Sequence, residues 1–473
     1  MDTDVDGHGG RAGSHQQVPV YTVAPREVNP DIGGFRRDRR WRIRLALPSA
    51  PEMASLPRDA RESEPAALTA DERRRGRRLA VLSHPAGMTH RTIFSDQLPT
   101  LALVGLGASE SVVGLQRAFE PIAQLLQLFA LRAVGRVRKR TILVAGQSFA
   151  VLAGLPLVAY GALAAAGAPA GPAIALASLA FTAVGIVVGN AVWFPLLRGY
   201  VEPGQIGKFF GVLRTGWHLT LIAYFLAAQH WLAAHPGSFG PLFAAALLAG
   251  TVRIAMVIRL PEAVGSSPTR IRIRDALGLL RAQPRLRRYL SGVVLYGAAR
   301  RTALPFAIVM MRRTLGLSDA DVVLATAAFY AGGFASLYGW GLVADRFGPM
   351  PVFRLTSIGT GVLLLAFAVW SGAASAVWMV AFFFVFAVLN AGFGVADTQV
   401  LFGLAPTDEP TATLVIADVT GSLAYGAVPL LAGLLLDAAI SAAAAPIDAY
   451  RVLFLTTALM AVIAPIPLRR VVR

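Results

Sequence analysis

The chain has 473 residues, of which 55% are hydrophobic and 15% charged, with a mean hydropathy of +0.58. Soluble domains carry about 25% charged residues, so this composition excludes an ordinary soluble protein. The net charge of +17 does not indicate nucleic-acid binding, because the basic residues cluster beside apolar segments without a recognition module. The lack of cysteine excludes disulfides and thiolate metal sites.

Residues 1–87 differ in composition from the rest of the chain. They are rich in Asp, Gly, Pro, Ser and Arg, and they lack the short apolar core and cleavage site of a signal peptide. This composition predicts a mostly disordered cytoplasmic tail. Its WRIRLALP stretch at 41–48 either lies on the anionic membrane face or belongs to a solvated tail.

Twelve apolar segments follow, each near the roughly 20 residues that an α-helix needs to cross a bilayer. They predict an all-α integral membrane protein. The predicted helices lie near 88–106, 110–131, 141–166, 171–197, 207–234, 239–259, 288–312, 320–343, 351–371, 374–400, 411–436 and 448–468.

Basic residues in the links between these helices predict the topology. Links such as AGAPAG at 166–171 are nearly neutral, whereas alternate links, including 132–140 and 261–287, are rich in arginine. By the positive-inside rule, both termini and the central loop at 261–287 are cytoplasmic. This predicts a multi-pass protein of the cell inner (plasma) membrane, with six-helix bundles at 88–260 and 288–473.

The stretch GWGLVADRFGPMPVFR at 339–354 places a charged hairpin between two apolar segments, and RAVGRVRKR at 132–140 is its degenerate counterpart. Together with the helix count and the central loop, this hairpin resembles the cytoplasmic loop signature of the major facilitator superfamily of secondary transporters. The resemblance covers roughly residues 88–470. It implies two pseudo-symmetric six-helix bundles that work by alternating access.

The resemblance also implies a cytoplasmic gate around this hairpin. Gly341 and Gly348 would allow tight packing and a sharp turn, and Asp345 beside Arg346 would place opposite charges at the membrane face. Asp345 is then expected to meet the fifth helix. Asp397, near the cytoplasmic end of the tenth helix, either forms a gate salt bridge or binds a proton. The alternative is a solvated turn whose charges only mark topology. The expected contacts of Asp345 are Gly207, Lys208 or Arg214.

Some features depart from the family pattern. Arg132 stands where the first hairpin of the family has an aspartate, so the matching latch is not implied. The fifth helix lacks the GPxxGG-like stretch of drug and proton antiporters, and the fourth helix lacks the arginine found in many proton-coupled members. Proton coupling therefore has to be argued from individual residues.

Ionisable residues within membrane spans are costly, so each is a candidate functional residue. Arg300 and Arg301 lie about 18 Å into the seventh helix, near the bilayer centre. Adjacent helical residues point about 100° apart, so at most one is expected to face a cavity directly. A free guanidinium predicts a carboxylate or phosphate substrate. The alternative is that both arginines are neutralised by Asp96, Glu120, Asp397 or Asp418.

Five other ionisable residues are further candidates for substrate binding or coupling. Asp96 lies at a depth related to that of the two arginines, which makes a cross-cavity ion pair plausible. Arg117 and Glu120 are three residues apart and are expected to neutralise each other. Asp418 is a candidate proton site, while His218 either titrates near neutral pH or is a packed, hydrogen-bonded residue.

These features predict a secondary active transporter of a small molecule, of anionic character if an arginine is free, and not an enzyme. The alternatives within the membrane class are an exporter of amphiphilic or toxic compounds and a transport-dead receptor or scaffold. No catalytic residues, metal site or bound cofactor are expected, and a proton is the candidate coupling ion. We expect a monomer in the lipid bilayer with no nucleic-acid partner.

Overall fold

The computed structural model describes residues 68–126, 137–202, 205–262, 278, 281–369, 375–404, 410–442 and 445–468. Most of the predicted tail, the stretch at 41–48, the first hairpin at 132–136 and most of the central loop lie outside these residues. Within the described ranges, the secondary structure consists of helices and turns without a strand.

Twelve helices, α1 to α12, follow one another along the described residues, as the sequence predicts. Ten of them, α3 to α12, are long and apolar enough to cross a membrane. The described part of α2 has only 15 residues, and α1 carries several charges. The bounds are α1 Ala70–Ser95 continued by Gln97–Gly105, α2 Glu110–Gln124, α3 Lys139–Gly154 continued by Leu155–Ala159 and Tyr160–Ala166, α4 Ala170–Asn190 with Trp193–Leu197, α5 Ile206–Ala234, α6 Gly240–Val257, α7 Pro284–Arg313, α8 Asp319–Phe347, α9 Pro349–Val369, α10 Ala376–Leu404, α11 Pro410–Ala442 and α12 Pro446–Ile463 with Pro465–Leu468.

Helix α1 begins at Ala70, well before the expected start at residue 88, so the predicted tail boundary at residue 87 is wrong. A capping box fixes this start: the Glu72 amide donates to Thr69 Oγ1 at 3.2 Å, and the Thr69 amide donates to Glu72 Oε2 at 2.8 Å. The hydrogen bonds from Thr69 also lower the pKa of Glu72. The 26-residue first segment is about 39 Å long, so it exceeds the thickness of a bilayer core.

The loops at the start of α3 and the end of α6 are joined by polar contacts. The carboxylate of Glu262 accepts the amides of Lys139 and Arg140 at 2.7 and 3.1 Å and so caps α3. The Tyr200 hydroxyl donates to the Pro261 carbonyl at 2.5 Å. Burial and the nearby Glu262 raise the pKa of Tyr200, so this hydroxyl stays protonated as a donor. These contacts fasten three loops at one end of the helices.

The predicted hairpin GLVADRFG is helical almost to its end. Helix α8 continues through Phe347, α9 begins at Pro349, and Gly348 alone forms the turn with φ 81°. Gly341 lies inside α8 with open space around it, so the expected tight packing at that glycine is wrong. Of these two glycines, only Gly348 has the left-handed conformation that favours glycine.

Two seams join α1–α6 to α7–α12, one between α2 and α11 and the other between α5 and α8. The α2–α11 seam is a backbone contact. A Cβ on Gly114 would lie 2.5 Å from the carbonyl oxygen of Pro429, and one on Gly433 would lie 2.4 Å from that of Glu110. Glycine is therefore required for this close approach. The seams flank a cavity between the two sets of helices.

Candidate functional site

A cavity of about 250 Å³ lies between the two sets of helices. It brings together several of the ionisable residues singled out in the sequence with aromatic residues of α5, α8 and α10. Its lining consists of Met88, Arg91, Thr92, Ser95, Asp96, Arg117, Glu120, Pro121, Trp217, Arg300, Arg301, Leu304, Phe329, Tyr330, Phe386 and Asn390.

Helix α1 is broken at Asp96, which has φ −109° and ψ −118°. The break leaves backbone carbonyls without helical partners. Arg117 of α2 supplies donors to them, with Nη1 lying 2.9 Å from the Ser95 carbonyl and 2.7 Å from the Asp96 carbonyl. Irregular backbone at membrane depth is tolerated where it is buried in protein or lines a cavity.

The carboxylate of Asp96 links the two sets of helices. The Tyr330 hydroxyl of α8 donates to Asp96 Oδ2, and Arg117 Nη2 lies 3.5 Å from Oδ1. The expected cross-cavity ion pair of Asp96 with Arg300 or Arg301 is therefore wrong in this conformation. The link across the cavity is a hydrogen bond from a tyrosine, because Arg117 already neutralises the carboxylate.

Glu120 pairs with Arg91 of α1, whose Nε lies 3.1 Å from Oε1 and whose Nη2 also donates to that oxygen. The expected neutralisation of Glu120 by Arg117, three residues away on α2, is wrong. Each of the two residues instead faces a partner on α1. Charge pairs between helices replace the pair predicted within one helix.

Arg300 and Arg301 both line the cavity, although only one was expected to do so. The Arg301 guanidinium lies over the ring of Tyr425, 4.8 Å from its centroid. In the described ranges, no carboxylate lies within 4 Å of either arginine, and the buried Nε atoms of both have no hydrogen-bond partner. Among the described residues, these two guanidinium groups are the cavity charges without a direct ion pair, while Glu120 and Asp418 act on Arg301 from a longer distance.

The remaining acidic and histidine candidates lie outside the cavity lining. The Tyr289 hydroxyl donates to both the carbonyl and the carboxylate of Asp397, so the expected gate salt bridge of this residue is replaced by a tyrosine contact. Asp418 is exposed on α11 and interacts electrostatically with Arg301 and Arg91. His218 is buried, and its Nδ1 lies 2.8 Å from the Arg214 carbonyl, in keeping with the packed alternative.

The gate motif does not reach the fifth helix in this conformation. Asp345 accepts a hydrogen bond from Gln399 Nε2 at 2.8 Å, on the neighbouring helix α10. Arg346 is exposed with its guanidinium 5.2 Å from the centre of the Phe347 ring. Lys208 and Arg214 are also exposed on α5. A contact between Asp345 and α5 stays a prediction for another conformation.

The opposite end of the helices is closed by a cluster around Glu110, which we call the outer latch. The carboxylate of Glu110 accepts Arg313 Nη1 at 2.7 Å and the Tyr450 hydroxyl at 2.8 Å. The Glu110 and Ser111 amides donate to the Asp437 carboxylate at 3.0 and 2.9 Å. Each of these contacts joins α2 to α7, α11 or α12, so the latch holds the two sets of helices together.

Arg253 of α6 is the largest fully buried side chain of the described residues. Its Nη2 donates to Asn190 Oδ1 at 3.0 Å, and its guanidinium lies 4.9 Å from the ring centre of Trp193. The side chain crosses α1 at Gly87, where a Cβ would lie only 1.7 Å from Nη1. This glycine makes room for a charge inside α1–α6.

Sequence reasoning missed Arg91, Arg253 and the outer latch. Arg91 lay at the predicted start of the first helix, where an arginine commonly marks the membrane surface. The capping box at Thr69 and Glu72 was the signal that would have moved it into the helix interior. Glu110 and Arg313 stood at predicted helix ends, and their pairing depends on contacts far apart in sequence.

Residues 289–472 match the family model of the Major Facilitator Superfamily. The C-terminal half of this chain belongs to the major facilitator superfamily. No curated protein matches the sequence of the chain. The family match confirms the predicted membership and, with the apolar helices, a multi-pass membrane protein with a transporter function rather than an enzyme.

Solved transporter structures share the fold of this chain over about 85% of its length. The chain resembles a mutant of the nucleoside transporter NupG with 12% identity and a TM-score of 0.66, covering 85% of this chain and 100% of that one. It resembles an inward-facing, unoccupied bacterial homologue of the human lysosomal transporter Spinster with 13% identity and a TM-score of 0.62. That match covers 84% of this chain and 96% of the other one. It also resembles an outward-facing bacterial homologue of the iron transporter ferroportin, with 17% identity and a TM-score of 0.55. That match covers 84% of this chain and 98% of the other one.

Proposed function

We propose that this secondary transporter moves a small organic anion through the cavity by alternating access. The observation that carries the proposal is the pair Arg300 and Arg301, which line the cavity without a carboxylate within ion-pair distance in the described ranges. An uncompensated charge in a membrane interior is costly, and a guanidinium fork matches carboxylate and phosphate groups. A bound anion would supply the missing partner.

The conformation supports a transport cycle with two gates. The outer latch is formed, whereas Asp345 has no contact with Lys208 or Arg214 among the described residues. By the positive-inside rule, the end that carries the Gly348 turn and the basic links is cytoplasmic, as are both termini. This is the pattern expected of an inward-facing state. We propose that the protein works as a monomer in the plasma membrane.

A proton is the coupling ion we propose. The contact that coupling would have to change is the one between Asp96 and Tyr330, because Asp96 lines the cavity and receives the Tyr330 hydroxyl from the other set of helices. Coupling in this scheme acts through one differential contact between conformations.

Thermal stability with ligands tests the proposal on the purified full-length protein. Carboxylates, phosphorylated metabolites, sugars and amphiphilic cations are added to the parent and to the variants Arg300→Ala and Arg301→Ala. A ligand at a hundredfold over its Kd adds about 2.7 kcal/mol, so a binding anion raises the melting temperature of the parent and loses this effect in an arginine variant. Arg198→Ala, at an exposed arginine outside both the cavity and the gate motif, is the control and should respond like the parent.

The result that contradicts the proposal is stabilisation of parent and both variants by amphiphilic cations with no response to anions. The arginines would then be structural, and an exporter of amphiphilic compounds would be the better description. Uptake of a stabilising anion into liposomes that contain the protein provides the transport measurement. A chain that binds the anion but never moves it would be a receptor rather than a transporter.

A further inference from the structure

The lining of the cavity is divided between two sets of helices by chemistry. The charged side chains come from α1, α2 and α7, and we call them the charged wall: Arg91, Asp96, Arg117, Glu120, Arg300 and Arg301. The rings come from α5, α8 and α10, and we call them the aromatic wall: Trp217, Phe329, Tyr330 and Phe386. A ligand that fills the space therefore meets cations on one side and rings on the other.

The charged wall has room for one anionic group. Two of its four arginines are paired, Arg91 with Glu120 and Arg117 with Asp96. The other two have no carboxylate within 4 Å among the described residues. Glu120, whose charge acts on Arg301, is already paired with Arg91, and Asp397, whose carboxylate Arg300 attracts, receives the Tyr289 hydroxyl. A single carboxylate between Arg300 and Arg301 would accept charge-assisted hydrogen bonds from both.

The aromatic wall is held in place by its own ring contacts. Tyr330 stacks on Phe225 with ring centres 5.3 Å apart and an interplanar angle of 7°. Its edge meets Trp217 at 6.3 Å and Phe329 at 5.4 Å, with interplanar angles of 77° and 84°. The rings are thus positioned before any ligand arrives, which lowers the entropic cost of stacking against them.

We infer that the cavity takes a planar aromatic carboxylate of one or two rings. The carboxylate lies at Arg300 and Arg301, and the ring lies against Trp217 and Phe329. The volume of about 250 Å³ sits below the roughly 300–1,000 Å³ of pockets for drug-sized ligands, which fits a small acid. This inference rests on the proposed function and adds the substrate class to it.

Three probes of similar size separate the contributions of ring and charge. Benzoate has both, cyclohexanecarboxylate has the charge without a planar ring, and benzyl alcohol has the ring without the charge. We expect benzoate to bind the full-length protein about tenfold more tightly than cyclohexanecarboxylate, since aromatic pairs contribute roughly 0.5–1.5 kcal/mol each. Benzyl alcohol should bind weakly or not at all. Calorimetry and ligand-induced melting shifts measure all three.

Variants of the aromatic wall test whether its rings cause the preference for benzoate over cyclohexanecarboxylate. Phe329→Leu and Trp217→Leu should reduce the preference for benzoate over cyclohexanecarboxylate to about threefold or less, while cyclohexanecarboxylate binding stays near its parent value. Phe149→Leu is the control, because Phe149 is 46% exposed on α3 outside the cavity and should keep the preference. Size-exclusion profiles and melting curves without ligand show that each variant is folded, and the two wall variants provide independent measurements.

The outcomes separate this inference from the proposed function. Equal binding of benzoate and cyclohexanecarboxylate, unchanged in both wall variants, overturns the aromatic class and leaves an anion transporter. Equal binding of benzoate and benzyl alcohol overturns the role of the carboxylate. If no anion of the wider panel binds the parent, the proposed function itself fails.

Discussion

Charged side chains inside the helices determine how the two sets of helices interact. Arg117 stabilises the break in α1, and Asp96 receives Tyr330 from the other set. Arg253, in contrast, has Asn190 and Trp193 as its neighbours and joins helices of one set only. Residues of the first kind are expected to affect transport, and those of the second kind stability.

The variant Tyr330→Phe removes the hydroxyl that bonds to Asp96 and keeps the stacked ring. Polar contacts between membrane helices are worth about 0.6–1.7 kcal/mol, so we expect a loss of stability of this size together with a changed transport rate. Tyr224→Phe is the control, since it loses a bond to the Leu242 carbonyl within α1–α6. Melting curves and liposome uptake measure both effects. Equal transport changes in the two variants would contradict a special role for Tyr330.

The variant Gly87→Ala should destabilise the protein by about 1–3 kcal/mol, because the added Cβ would collide with the Arg253 guanidinium. Gly211→Ala on α5 meets open space and should stabilise the protein by about 0.5–1 kcal/mol, the usual gain within a helix. Chemical or thermal unfolding in detergent compares the two. A Gly87→Ala protein as stable as the parent would show that Arg253 has another position available.

The depth of Arg300 and Arg301 within the seventh helix could be predicted from the sequence, but the partners of the other ions could not. Depth along an apolar segment identifies a buried charge, since the cost depends on the residue itself. A partner depends on which helix lies opposite. Arg117 and Glu120 suit each other by spacing, yet each faces α1, and no local pattern reveals that neighbour.

At the scale of helices, the two sets are joined by polar contacts at the outer latch, whereas the Gly348 turn at the other end makes no such contact between the sets among the described residues. Four contacts between the sets meet at Glu110 and Ser111, whereas Asp345 bonds within its own set. The latch therefore contributes free energy to the observed conformation and not to one that is open at the outer end. Changing it should shift the balance between conformations.

The variant Glu110→Gln removes the charge that faces Arg313. Arg313 is partly exposed, so the loss of its charged partner should cost about 1–3 kcal/mol, and the outer end should open in a larger fraction of molecules. The chain has no cysteine, so spin labels on cysteines placed at Ala165 and Ser441 report the distance between α3 and α11 directly. In the variant, we expect an additional population of molecules in which the distance between the two labels is longer.

Asp448→Asn is the matched control for the latch, because Asp448 pairs with Arg451 on the same helix α12. Its distance distribution should equal that of the parent. Unchanged distances in Glu110→Gln would mean that the latch does not set the conformation.

The number of helices could be predicted from the length of the apolar segments, but the residues at which the helices begin and end were harder to predict. Ten spans follow from composition alone, and their predicted positions agree with the structure within several residues. The start of α1 was placed too late because its first turns are charged, although Thr69 and Glu72 cap them. The end of α8 was placed too early because the charged residues of GLVADRFG resemble a loop while they remain helical.

At the scale of the whole molecule, the direction of the chain through the membrane can be tested without a substrate. Single cysteines at Arg138 and Arg346, both exposed, should react with an impermeant reagent only from the cytoplasmic side. A cysteine at His235, in the link between α5 and α6, should react only from the opposite side. The reverse pattern would place the Gly348 turn outside and invert the proposed gates.

The backbone contact between α2 and α11 limits how the molecule can move. Gly114 and Gly433 bring main chains together at two points along one line, where side chains have no room to slide past. In the proposed transport cycle, sliding of α2 along α11 would bring the side chains of neighbouring residues against the opposing main chain. A rotation about the contact would keep the two main chains adjacent. We therefore propose that the two glycines set the line about which the two sets of helices rotate.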